Sequence, residues 1–276
     1  MVSIASDTAR FRTVKLNIAN RVATVSLARP EVRNAFHPVM IRELTEIFLE
    51  LAQVNELAAV ILRGEGKSFC AGADLEYMKS MAGYSLDDNE KDAIELFDMF
   101  WAIRSCPHAI VGRVHGHVMG GALGLLGLCD IAAGVDGTQF CFSEVKLGLA
   151  PAVISPFVLE KMDRSFVTRF MLTGEVFGPK EALASGLIQN SGSENDVDQF
   201  VAQIVGALSL NGPEALRATK ILIREVGSAS GGADWRRNRE ITTKMISERR
   251  VSDEGQEGLR GFLEKREPSW RPKKGP

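Results

Sequence analysis

Apolar and polar residues alternate from Val14 to Ile18 and again from Val22 to Leu27. A period of two on both sides of Asn20-Arg21 predicts a β-hairpin over 13–27 with those two residues as its turn. The RPEVRNAF segment that follows has no period and reads as a loop. Beyond it the spacing lengthens, and Ile41, Leu44, Phe48 and Leu51 fall on one face of a helix over 39–52. AAVIL at 58–62 and AIVGRV at 109–114 read as short strands, separated by a helix over about 88–104. A Gly-rich turn then leads into a helix at about 120–128, and CDIAA at 129–133 is again strand-like.

Strands alternating with amphipathic helices define an α/β protein. Pro156, Pro179 and Pro213 each sit where a helix could begin, at a position where proline costs no hydrogen bond. From about residue 178 onward the pattern is nearly all helical. The expected organisation is therefore an α/β core over 1–195 followed by a helical region over 196–276, with no linker and no internal repeat.

Composition narrows the function classes. A chain of 276 residues buries roughly three-quarters of its surface and needs neither disulfide nor metal to fold. Lys and Arg number 33 against 35 Asp and Glu, a net charge of −2, so the basic excess of a nucleic-acid binder is missing. The four cysteines form no CxxC pair and the four histidines no HExxH, so no metal site is expected. The amino terminus lacks the apolar run of a secretory signal. The longest apolar stretch, 118–129, is Gly-rich and shorter than the ~18 residues of a membrane span. A cytoplasmic protein without membrane contact is the expectation.

Among candidate motifs, GEGKS at 64–68 looks like the end of a phosphate-binding loop, but Ile61 stands where the first glycine is required. No GxSxG elbow is present. SFCAGADLEYM at 68–78 reads as a strand, then small residues, then a helix; in GHVMGGALGLLGLCDIA at 116–132 the Gly120-Gly121 pair opens a helix. Small residues let a ligand approach the backbone, and amides converging from two segments are what an oxyanion hole requires. Tight helix–strand packing calls for the same residues. Glu144 lies among Phe140, Phe142, Val145 and Leu147, surroundings that raise a carboxyl pKa and suit an acid or base. An ion pair with Lys146 or an Arg is the structural alternative. His117 stands close to the Gly pair, with a packing role as its plainer reading.

Taken together and in order, these segments resemble the enoyl-CoA hydratase/isomerase (crotonase) family. The likeness runs from about Arg12 to Trp270 and includes the hairpin, RPEVRNAF, FCAGAD, HGHVMGGALGL, FSEVKLGL, LTGE, EALASGLI and GFLEKREP. It implies a crotonase-like spiral of ββα units with a C-terminal helical region that builds homotrimers or homohexamers. It also implies an acyl-CoA substrate, with coenzyme A as part of that substrate and no separate cofactor. By this resemblance the amides of Ala73 and Gly121 form the oxyanion hole and Glu144 is the acid/base. Ala71, Asp74, Leu75, Gly120 and Gly124 would line the substrate. Arg33 and Lys265 would meet the CoA phosphates, with Phe262 packing near the adenine from a neighbouring subunit.

One position departs from the family. Typical enoyl-CoA hydratases place a second glutamate three residues after the second glycine, and Gly124 stands there. Gly124 would leave room for a bulkier acyl group or a second water. The local sequence looks most like bacterial methylglutaconyl-CoA hydratase-like proteins, which implies a lyase adding water to a branched or carboxylated enoyl-CoA such as 3-methylglutaconyl-CoA. Lys146, Arg164 and Arg169 are candidate partners for a distal carboxylate. An isomerase using the same single glutamate is the alternative. A non-catalytic acyl-CoA- or RNA-binding member is a third, and near-neutral charge and the retained Glu144 weigh against it.

Overall fold

A computed structural model of the chain describes residues 10–227 and 234–271. The stretch read for a leader therefore lies mostly outside the described residues, as do parts of the helical region. β1 (Val14–Ala19) and β2 (Val22–Leu27) pair antiparallel from Val14↔Leu27 to Ala19↔Val22. Asn20 and Arg21 close the hairpin at φ of 51° and 65°. Two successive left-handed residues make the turn whose twist matches that of the strands. α1 (Pro38–Leu51) starts at His37, whose Nδ1 accepts from the Met40 amide at 3.3 Å. The predicted apolar face, Ile41, Leu44, Phe48 and Leu51, is fully buried.

The chain continues through β3 (Ala59–Gly64), α2 (Leu75–Met81), α3 (Leu86–Ser105), β4 (Ala109–Val114), β5 (His117–Met119), α4 (Gly121–Gly127), β6 (Ile131–Val135) and β7 (Gln139–Cys141). Next come α5 (Ser155–Lys161), α6 (Arg164–Thr173), α7 (Pro179–Ala184), β8 (Asn190–Gly192), α8 (Glu194–Ser209), α9 (Pro213–Gly227), α10 (Trp235–Val251) and α11 (Asp253–Leu263). Two expectations shift. The CDIAA strand begins only at Ile131, because the Cys129 amide still donates to the Leu126 carbonyl at the end of α4, at 3.2 Å. SFCAGAD is an irregular loop rather than a strand, with single bridges at Cys70↔Val118 and Phe36↔Ala73.

The main sheet runs β1-β2-β3-β4-β6-β8, parallel from β2 onward. Successive side chains on a strand point to opposite faces, and the central strands use both. Val60, Leu62, Ile110 and Ala132 enter the main core with α1, α3 and α4, whereas Ile61, Val111 and Ala133 pack against Val197 and Val201 of α8. A second, two-stranded sheet pairs β5 with β7 in parallel, His117↔Gln139 to Met119↔Cys141. It brings the segments before Gly121 and before Glu144 side by side. α9 is tied to the core through Lys220, whose Nζ lies 2.6 Å from Asp130 Oδ2 and 2.6 Å from the His108 carbonyl. No helix among the described residues is long and apolar enough to cross a membrane.

Candidate active site

The loop around Ala73 is held from both sides. Its Ala71 amide donates to the Arg33 carbonyl at 3.0 Å, the Phe36 amide to the Gly72 carbonyl at 2.7 Å, and the Asp74 amide to the Phe36 carbonyl at 2.8 Å. Asp74 then caps α2: its Oδ1 accepts from the Glu76 amide at 2.9 Å, and its Oδ2 pairs with Arg29 at 2.8 Å. Burial alone pushes the Asp74 carboxyl up, but the Arg29 bond and the two helix amides outweigh it and hold the group below its ordinary value. Leu75 opens the helix and is exposed. The Ala73 amide is bonded to none of these acceptors, and Ala73 lines the adjoining cavity.

The second amide comes from α4. Gly120 sits at φ 52° and ψ −124°, and its own amide donates to the Cys141 carbonyl at 2.9 Å. A Cβ at Gly120 would stand 3.2 Å from Glu144 Oε1, so a side chain there would be both strained and in contact with the carboxylate. Gly121 is the first residue of α4, and first-turn amides have no partner within a helix.

Glu144 begins a 3-10 turn (Glu144–Leu147) just after β7. Its Oε2 is buried without a hydrogen-bond partner among the described residues. Burial pushes the carboxyl pKa up, only partly offset by its own backbone N–H. The ion pair kept open as the structural alternative is not formed with Lys146, whose Nζ lies instead 3.8 Å from Cys141 Sγ.

Ala73, Gly121 and Glu144 line one cavity of about 210 Å³. That volume is below the ~300–1,000 Å³ that encloses a drug-sized ligand. Its remaining walls are mostly apolar: Phe36 and Ile41, Met81 of α2, Leu96 of α3, and the Ala150–Ile154 strap. The polar exceptions are Tyr77 of α2, whose hydroxyl donates to the Asp92 carboxylate, and Asp92 itself on α3.

Several expected residues lie elsewhere. Gly124 does not open onto the cavity. A Cβ there would meet Ile154 Cγ2 at 2.6 Å and Phe100 Cε1 at 2.8 Å, so the expected room for a larger acyl group or a second water is filled by those two side chains. His117 is engaged by Ser68, its Nδ1 2.9 Å from Ser68 Oγ, and does not line the cavity. Lys146, Arg164 and Arg169 do not line it either; Arg169 pairs with Glu175 at 2.6 Å. Arg33, at φ 52°, touches the site through its backbone carbonyl while its side chain is exposed. Phe262, 82% exposed, and Lys265 border a separate depression with Trp270 and Arg271.

Tyr77, Asp92, Phe100 and Ile154 were not singled out from the sequence. For Asp92 the signal was present, since Asp92, Leu96, Met99, Phe100 and Ile103 follow the i, i+4, i+7, i+8, i+11 stripe of α3, and a carboxylate on an apolar stripe is an anomaly. Nothing local to Gly124 announces Phe100 and Ile154.

A parallel α/β core that brings Ala73, Gly121 and Glu144 to one mostly apolar cavity, with Glu144 Oε2 unpartnered among the described residues, fits a protein of the crotonase fold. The chain superposes with a TM-score of 0.89 on an enoyl-CoA hydratase from Shewanella pealeana, at 34% identity, covering 95% of this chain and 97% of that one. The enoyl-CoA hydratase AFT6-1 of Alternaria alternata is 32% identical over 212 residues, 76% of this chain and 69% of that protein. The mitochondrial Delta(3,5)-Delta(2,4)-dienoyl-CoA isomerase of Rattus norvegicus is 32% identical over 223 residues, 76% of this chain and 68% of its own. The family model for enoyl-CoA hydratase/isomerase matches residues 17–273, and the chain belongs to that family.

Proposed function

We propose that the chain is an enoyl-CoA hydratase-type lyase that works with a single acid/base, Glu144. The observation that carries this reading is the half-buried Glu144, its Oε2 unpartnered among the described residues, in the same cavity as Ala73 and Gly121. The thioester oxygen accepts from the two amides. Glu144 takes a proton from water as its oxygen bonds to C3, and the electrons of the double bond pass to the carbonyl oxygen as an enolate. The enolate then collapses as Glu144 returns the proton to C2. One donor of such a hole is typically worth ~2.7–4 kcal/mol. Arg33 is assigned to the CoA phosphates, with Lys265 and Phe262 supplied by a neighbouring copy in a homotrimer or homohexamer. This is supported by their place in a depression apart from the acyl cavity.

For the acyl group, the reading favours a branched, uncharged chain. A 3-methylglutaconyl group carries a distal carboxylate. Among the described residues that line the cavity, the charged side chains are Glu144 and Asp92, both of which repel it. For that substrate the matching cation must come from a neighbouring copy.

The packing around Gly124 favours a second reading. Phe100 and Ile154 occupy the space beside Gly124, where family hydratases carry their other glutamate. One base in an apolar chamber serves a proton shift between C2 and C4 without bound water. Turnover in heavy-oxygen water separates the two. The hydratase converts 3-methylcrotonyl-CoA to a product with the label at C3. If a 3-enoyl-CoA instead becomes the conjugated isomer with no label taken up, the isomerase holds and the lyase assignment is wrong.

A further inference from the structure

Asp92 and Tyr77 form a polar island in an otherwise apolar wall of the acyl cavity, between Phe36, Ile41, Met81 and Leu96. Tyr77 is 9% exposed and has one O–H, which is committed to Asp92 Oδ1. Asp92 Oδ2 has no bond to any described residue, and the phenol oxygen keeps its lone pairs. Of the early amides of α2, those of Glu76 and Tyr77 are spent on Asp74 Oδ1 and that of Met78 on the Asp74 carbonyl, and Leu75 does not line the cavity. The polar side chains that line the cavity from α2 and α3, Tyr77 and Asp92, therefore offer it acceptors, with their one O–H already committed. Ala73, Tyr77 and Asp92 line the same cavity, so an acyl group whose carbonyl meets the Ala73 amide shares the chamber with this island.

We propose that the Tyr77–Asp92 pair selects acyl groups that carry a hydroxyl on the chain beyond C3, accepting its hydrogen bond and rejecting a carboxylate at the same place. An ammonium group is also a donor, but its desolvation in this apolar chamber costs far more than that of a neutral hydroxyl. The proposal rests on the acyl-CoA reading of the cavity and names the substrate class within it.

The test compares isosteric thioesters in which a methyl replaces the hydroxyl. Binding of 4-hydroxypentanoyl-CoA and 4-methylpentanoyl-CoA, and of 5-hydroxypentanoyl-CoA and hexanoyl-CoA, is measured by calorimetry on the full chain and on Asp92→Leu, Asp92→Asn and Tyr77→Phe. These saturated thioesters bind without reacting. In one of the two pairs the wild type should favour the hydroxyl compound by roughly tenfold, the yield of one good hydrogen bond. Asp92→Leu should bring the ratio to about one or below, and Tyr77→Phe should lower it part-way. Glutaryl-CoA should bind worst to the wild type and gain in Asp92→Asn, which keeps the shape of the side chain if the leucine variant fails to fold. Equal affinities within both pairs, or a preference that survives Asp92→Asn and Asp92→Leu alike, overturns the proposal. Turnover of the matching 2-enoyl thioesters is read separately. Its absence alongside an intact hydroxyl preference would count against the catalytic reading and not against this one.

Discussion

Glu144 carries opposing demands. Its Oε2 has no partner among the described residues, and burial raises its pKa, so the fold favours the protonated form more than the unfolded chain does. Stability must then fall as pH rises from the ordinary carboxylate value through the raised folded one, because the folded state binds the extra proton across that window. Above it the whole penalty is present. Glu144→Gln removes the charge, so the variant should be at least as stable as wild type at neutral pH, by up to about 1 kcal/mol or ~2–4 °C in Tm. The difference should vanish below the ordinary carboxylate range. Thermal melts across pH check this, and a variant clearly less stable at neutral pH would contradict it. The acidic limb of kcat/KM should likewise lie above the ordinary carboxylate range, since the free enzyme needs the base form. That Ala73, Gly121 and Glu144 share one cavity could be anticipated from the motifs around them and their family likeness, while their chemical roles belong to the proposal. Asp92 was not found, because its only signal is the conflict between its charge and the apolar stripe of α3.

At the scale of elements, α4 decides which carboxylates the cavity can hold. Its second turn packs so closely under α3 and the strap before α5 that Gly124 has no space for a Cβ. Gly124→Ala should therefore be destabilising by about 1–3 kcal/mol, the usual cost of overpacking a well-filled core. Gly124→Glu should cost more unless Phe100 is trimmed to Ala in the same chain. Urea unfolding of the two single variants and the double measures this, and an undiminished stability of Gly124→Ala would show that the neighbours yield freely. The identity of the glycine was plain in the sequence, but its meaning was not, since the side chains that fill the space come from distant elements. Periodicity did find the hairpin and α1, where one face is buried and the spacing is regular. It failed at SFCAGAD, whose small residues serve a loop held by backbone bonds to the 33–36 segment.

At the scale of the molecule, the parallel sheet and the β5–β7 pair bring three stretches of sequence to one chamber. The Ala73 loop, the α4 start and the Glu144 turn lie far apart along the chain and share only that cavity. The helical region contributes otherwise. α9 is fastened by Lys220 to Asp130, and burial lowers the pKa of that lysine while Asp130 opposes the shift. Phe262 and Lys265 remain outside the chamber of their own chain.

The central claim is that one carboxylate and two amides suffice for enoyl-thioester chemistry in this chamber. The most direct measurement is exchange of the C2 proton of 3-methylcrotonyl-CoA and its hydrated product in deuterated water, followed by NMR for wild type and Glu144→Gln. Deuterium should enter C2 rapidly in wild type and at least ~100-fold more slowly in the variant, the lower end of what a positioned acid/base contributes. Exchange in Glu144→Gln within threefold of wild type would contradict it.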